Sequence, residues 1–167
     1  SDTAVRNCDA NAGGGGGGWL AESPLRAEEV RFHDLDSGAF GGALAIEGGD
    51  HQITRSVFTA GDALDGGAID ALGDGSLSVI GSRFEHNEAD DYEIYDTAYG
   101  GAIASSGMTL SVVNSTLVDN EAEQTAGLYS HTTDPLHELE LRPNAFAHHL
   151  ADPIGLDGLP PPGSRTV

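Results

Sequence analysis

The residues best suited to chemistry are carboxylates and histidines, and they gather in three places. The first is the run Asp90-Asp91-Tyr92-Glu93-Ile94-Tyr95-Asp96-Thr97-Ala98-Tyr99. A hard cation such as Ca²⁺ takes several oxygens from a flexible loop. Asp90, Asp91, Glu93 and Asp96 are therefore a candidate Ca²⁺ site. Tyrosines favour contact with a partner, so the same loop also reads as a docking loop. A solvated acidic loop with its tyrosines packed on the fold is the third reading. The second place is His86, Asp119 and His148, which a repeat register brings into one column. Two imidazoles flanking a carboxylate can ligate Zn²⁺ or another divalent ion. They can equally form a pH-sensitive charge ladder. A spacing near ~4.8 Å suits hydrogen bonding better than shared ligation. The third place is Asp62, Asp65, Asp70 and Asp74. Hydrolases of glycans work with paired carboxylates, but Asp is also common at turns for local reasons.

What positions these groups is a repeat. Gly17-Gly18-Trp19-Leu20, Gly41-Gly42-Ala43-Leu44, Gly66-Gly67-Ala68-Ile69 and Gly100-Gly101-Ala102-Ile103 open successive copies, and Thr125-Ala126-Gly127-Leu128 opens a fifth. The copies recur about every 25 residues, and the third is longer by about nine, the excess being the acidic tyrosine loop. Each copy continues into a short alternating apolar segment: Ile53, Leu77 with Val79, Leu110 with Val112, Leu139 with Leu141. Then come Phe32, Phe58, Phe84, Leu117 and Phe146, each opening another short strand before Gly, Asn, Asp or Ser turns.

That arithmetic is a parallel β-helix, in which each rung spends its residues on about three short strands and three turns. The register predicts an aliphatic ladder of Leu44, Ile69, Ile103 and Leu128. It predicts an aromatic ladder of Phe32, Phe58, Phe84, Leu117 and Phe146. Stacking makes each ladder continuous, which no single rung achieves. Asn87 and Asn120 are expected to stack at a turn and satisfy its backbone groups. Gly-Gly marks a sharp corner that needs positive φ or leaves no room for Cβ. No amphipathic helix is evident between the strands. Residues 1–16 read as a flexible Gly-rich leader, 17–151 as the β-helix, and 152–167 as a Pro/Gly-rich tail or capping arm.

Composition narrows the partners. The chain has 167 residues and 27 acidic against 7 basic ones, for a net charge of −20. All the basic residues are arginine. Such a surface repels nucleic acid and anionic lipid and attracts cations. It suits a salty exterior or a halophilic source. No stretch approaches a membrane span. The single Cys8 excludes an internal disulfide. A start at Ser1 is what an exported, processed chain presents, and equally what a trimmed chain presents.

The pairing of GGA[ILV] with FxxN resembles the repeat of chlamydial polymorphic outer membrane proteins, shared with bacterial right-handed parallel β-helix proteins. GGAI stands at Gly66 to Ile69 and Gly100 to Ile103, and GGAL at Gly41 to Leu44. FxxN stands at Phe84 to Asn87, with Leu117 to Asn120 as a conservative variant. The resemblance spans residues 17–151. It implies an all-β, right-handed parallel β-helix of about five rungs, exposed at a cell surface or secreted, acting as an adhesin or structural passenger. The expectation is a non-catalytic structural or adhesive module with a surface or carbohydrate ligand, no cofactor unless Ca²⁺, no nucleic-acid partner and no membrane insertion. Uncapped rungs suggest head-to-tail self-association into a filament. The alternative is a carbohydrate-active enzyme, and the third is a Ca²⁺-binding surface module.

Overall fold

The structure, a computed structural model, describes residues 3–10, 14–90, 97–132, 139–147 and 152–157. Among these residues the elements are all strands, with no helix. Every strand pairing is parallel, and the chain winds as a β-solenoid of about five turns. The strands form two sheets. The first runs, in spatial order, through Thr3–Ala10, Val30–Ser37, Val57–Ala63, Arg83–Glu85, Thr116–Val118 and Ala145–Ala147. The second is built on Gly18–Ala21, Leu44–Thr54, Ile69–Ile80, Ile103–Ser106, Thr125–His131 and Asp152–Asp157.

The two apolar ladders form as their spacing predicts. Leu44 pairs with Ile69, Ile69 with Ile103, and Ile103 with Leu128. Phe32, Phe58, Phe84, Leu117 and Phe146 are successive partners in the first sheet. The rings of Phe32, Phe58 and Phe84 stack at 4.6 and 4.7 Å, tilted by 8° and 4°. That is the spacing of hydrogen-bonded strands, so one geometry satisfies backbone and ring together. Phe58 and Phe84 are fully buried, each contributing about 1.5–3 kcal/mol of burial.

Polar ladders hold the corners. Asn87 Nδ2–H donates to Asn120 Oδ1 at 2.8 Å and to Phe58 O at 3.2 Å, while Asn87 Oδ1 accepts from Gly61 N–H at 3.0 Å. A second ladder runs through Ser56, Ser82 and Ser115, each hydroxyl accepting an amide from the preceding turn and donating to the carbonyl two residues back. Replacing Asn87 by alanine strands the Gly61 amide inside the fold. The expected cost is about 3 kcal/mol. Urea unfolding checks it, and a loss below about 1 kcal/mol would show the ladder to be ornamental.

Two readings of the sequence need correction. The Gly-rich leader holds a strand, Thr3–Ala10, in register with Val30–Ser37, and Val5 there extends the phenylalanine ladder. The tail, read as a tail or a capping arm, returns to the stack as an arm would: Asp152–Asp157 pairs with Thr125–His131. Neither segment has a Gly-Gly corner to announce it. The first corner is also displaced. Gly18 pairs with Leu44 and Trp19 with Ala45, so the equivalent of Gly41 is Gly15, whose φ is +70°. A run of identical glycines carries no register of its own, and strand pairing decides it.

An aromatic groove over a buried carboxyl

The displaced register has a consequence for the outer face of the second sheet. Side chains alternate along a strand, so Ile69 and Ala71 point into the core and Asp70 and Leu72 point out. Pairing then puts Trp19, Ala45, Asp70, Ala104, Tyr129 and Gly155 in one outward column. Two small residues separate three functional ones. Beside the column stands a corner ridge. Phe40 is bridged to Asp65 and Tyr99 to Thr125. Tyr99 N–H donates to Asp65 Oδ1 at 2.8 Å. The Tyr99 and Tyr129 rings stack at 4.4 Å, and Tyr129 O–H donates to Asp157 Oδ2 at 3.2 Å. Leu72 and Ser106, paired neighbours, bound the column on its other side.

Within this groove lies a recess of about 90 Å³, lined by Phe40, Asp65, Asp70, Leu72, Tyr99 and Tyr129 among others. Asp70 is only 3 % exposed. Burial pushes its carboxyl up to about 7; the charge of Asp65 pushes the same way, and a hydrogen bond from Ala71 N–H opposes both. Burial, with Asp157 next to it, raises the Tyr129 phenol to about 12. Near neutrality Asp70 can therefore donate a hydrogen as well as accept one. A carboxyl raised in this way beside a second carboxyl is also the arrangement from which an acid role can come.

The apolar surface points to the same place. Among the described residues the exposed large hydrophobic side chains are Trp19, Phe40 and Leu72, at 67 %, 42 % and 37 %. All three belong to this face. Sequence reasoning named Asp65, Asp70 and Tyr99 but placed none of them here, and it missed Trp19, Phe40 and Tyr129 as site residues.

The other expected sites fare differently. His86 and Asp119 do occupy one corner column with Asp34 and Ala60, all four at positive φ between 52° and 57°. His86 Nε2 lies 3.8 Å from Asp119 Oδ2, and His86 Nδ1 lies 3.8 Å from Glu85 Oε1. Glu85, His86 and Asp119 thus each offer a ligand atom within 4.8 Å of the others. His86 faces its two carboxylates through opposite ring nitrogens, and Arg83 also holds Glu85 at 2.8 Å. His148 lies outside the described residues. So do Asp91, Glu93 and Asp96 of the Ca²⁺ loop, while Asp90 is tied to the fold through its amide, which donates to Ala63 O.

The Asp62 cluster separates: Asp65 and Asp70 share the groove, Asp74 is exposed, and Asp62 belongs to the first sheet. There Asp36, Asp62, Glu88 and Glu121 form an unforeseen ladder of carboxylates. Burial, then Asp62, Glu121 and Asp90, raise the Glu88 carboxyl above its ordinary value. His51 is buried but structural: Nδ1 accepts from Leu25 N–H, and Nε2 lies 2.6 Å from Gly48 O. Compared with family profiles, with curated proteins and with solved structures, the chain matches none.

Proposed function

We propose that the chain is a non-catalytic extracellular or cell-surface module, structural and adhesive, that holds its ligand against the outer face of the second sheet. The observation that carries this is the concentration of exposed Trp19, Phe40 and Leu72 on one face of a rigid stack. Solvent-facing apolar side chains gathered on one surface mark an interaction site. The resemblance of the repeat to chlamydial polymorphic outer membrane protein passengers supports the same reading. Labelled protein should be retained on insoluble particles (cell walls, cellulose, chitin), and Trp19→Ala should lower the affinity about tenfold. Retention unchanged in Trp19→Ala would remove the groove from the proposal. End-to-end self-association belongs to the same reading, since exposed strand edges template further pairing. Electron microscopy checks it, and discrete particles at high concentration count against it. Ca²⁺ is the cation to try on so acidic a surface; equal melting temperatures in Ca²⁺ and chelator would exclude a stabilising role.

One observation favours a second reading, a carbohydrate-active enzyme. Asp70 and Asp65 share a recess, and burial holds the Asp70 carboxyl up at about 7, as an acid partner in glycoside hydrolysis is held. Release of reducing ends from a polysaccharide, lost in Asp70→Asn, would select this reading over the adhesive one.

A further inference from the structure

We infer that the groove takes an uncharged polysaccharide, its sugar rings laid on Trp19 and Tyr129 and one exocyclic arm seated in the recess over Asp70. The inference rests on the adhesive reading and names its ligand. Three observations lead to it. First, Trp19 and Tyr129 stand four inter-strand steps apart, roughly 19 Å, with Ala45 and Ala104 leaving the floor low between them. That is the span of about four pyranose rings, and an aromatic face accepts the C–H face of a sugar.

Second, the recess of about 90 Å³ has the volume of about three waters. It is too small for a sugar ring and suits a hydroxymethyl or acetamido arm. Its floor is the Asp70 carboxyl, whose hydrogen bond among the described residues comes from Ala71 N–H. Its protonated form has an O–H to offer a polar arm entering the recess. Asp65, which also lines the recess, adds a carboxyl oxygen there.

Third, charge excludes the polyanions. The chain carries −20 with no lysine, and among the described residues the groove's ionisable groups are Asp65, Asp70, Tyr99 and Tyr129, with Asp157 beside Tyr129. A uronate polymer would meet repulsion throughout. A peptide is disfavoured for a separate reason. The groove lies on a sheet face, where no free backbone edge offers the hydrogen-bond ladder that extended peptides use.

Trp19 is the only tryptophan, so its fluorescence reports occupancy directly. Titration with cellohexaose and with hexa-N-acetylchitohexaose is expected to give a saturable shift for at least one, and none with polygalacturonate. Ala104→Leu raises the groove floor while leaving the fluorophore in place, and should weaken binding at least about tenfold. Tyr129→Ala should do the same by removing the far platform, and a cooperative melt for each variant confirms folding. No response to either hexaose at millimolar concentration, or a response to polygalacturonate of equal strength, overturns the inference. Trp19-dependent retention on particles that neither hexaose displaces leaves the adhesive reading standing and overturns the glycan. Hexaose binding without particle retention does the reverse. Retention abolished by protease treatment of the particles, and untouched by hexaoses, indicates a protein partner and also overturns it.

Discussion

Replacing Gly67 by alanine is expected to abolish folding or to remove more than about 4 kcal/mol of stability. The reason is space. A Cβ at Gly67 would lie 2.3 Å from Glu88 O and 2.3 Å from Gly101 O. Both atoms are backbone of the next turn, held by ladder hydrogen bonds, so neither can swing aside. Gly42 and Gly101 face the same obstruction, at 2.2 Å from Gly67 O and from Glu121 O. A methyl at any of them must push two turns apart, which would unzip the strand pairing on both sides. Gly73 supplies the control. Its φ is +86°, yet its nearest neighbour to a Cβ is Gly48 N at 3.5 Å. Gly73→Ala should therefore cost only the backbone strain, about 1–2 kcal/mol. Soluble yield and urea midpoints of the two variants decide the matter. A Gly67→Ala protein that folds with a loss near that of Gly73→Ala would show that turns can slide apart, and that the corner is not set by packing.

This contrast explains how much of the molecule could be read from the chain. The second glycine of each Gly-Gly pair and the phenylalanine three positions before Asn87 have one physical solution each. A residue without room for Cβ must be glycine, and an inward ring must stack on its equivalent. Such positions repeat because each turn imposes the same constraint, and repetition is what made the fold legible. The groove obeys no such rule. Trp19, Asp70 and Tyr129 occupy equivalent places but differ in type, since the outer face has no ladder to complete. Their relation depends on a register hidden in the run Gly13 to Gly18, where pairing and not sequence identity sets Trp19 against Ala45. The ridge from Phe40 to Tyr99 depends further on how the corner loops lie. Asp65 and Asp70 were recognisable as acidic, but which of them was dry required the wall that Tyr99 and Phe40 build. The strand at Thr3–Ala10 escaped for a related reason: paired on a stack already formed, it needs no corner signature of its own.

Asp70→Asn is expected to stabilise the protein at pH 8 by up to about 4 kcal/mol and to leave it nearly unchanged at pH 4. In the fold the Asp70 carboxyl sits at about 7 against 3.8 for an unperturbed Asp. Between those values the native chain holds a proton that the unfolded chain has released, so stability falls as pH rises. The contribution is fully present below about pH 4 and lost by the time pH has passed through 7. A gap of roughly three units corresponds to about 4 kcal/mol. Asparagine keeps the shape and a donor but cannot ionise, so the variant escapes the loss. The carboxylates away from Asp70 shape the pH profile of both proteins and cancel in the difference between them, whereas Asp65, whose charge acts on Asp70, does not cancel fully. Of the groups facing Asp70, the Tyr129 phenol is pushed up to about 12 and stays protonated across this window. Asp65 and Tyr99 are present in both proteins. Urea unfolding at pH 4, 6 and 8 measures the difference, and parallel profiles for the two proteins would show that Asp70 is not held dry. The same substitution tests why a destabilising carboxyl sits there. If its protonated form donates to a ligand arm, wild-type hexaose affinity should fall as pH rises through 7, while the Asn variant, which always has a donor, should bind independently of pH over that range.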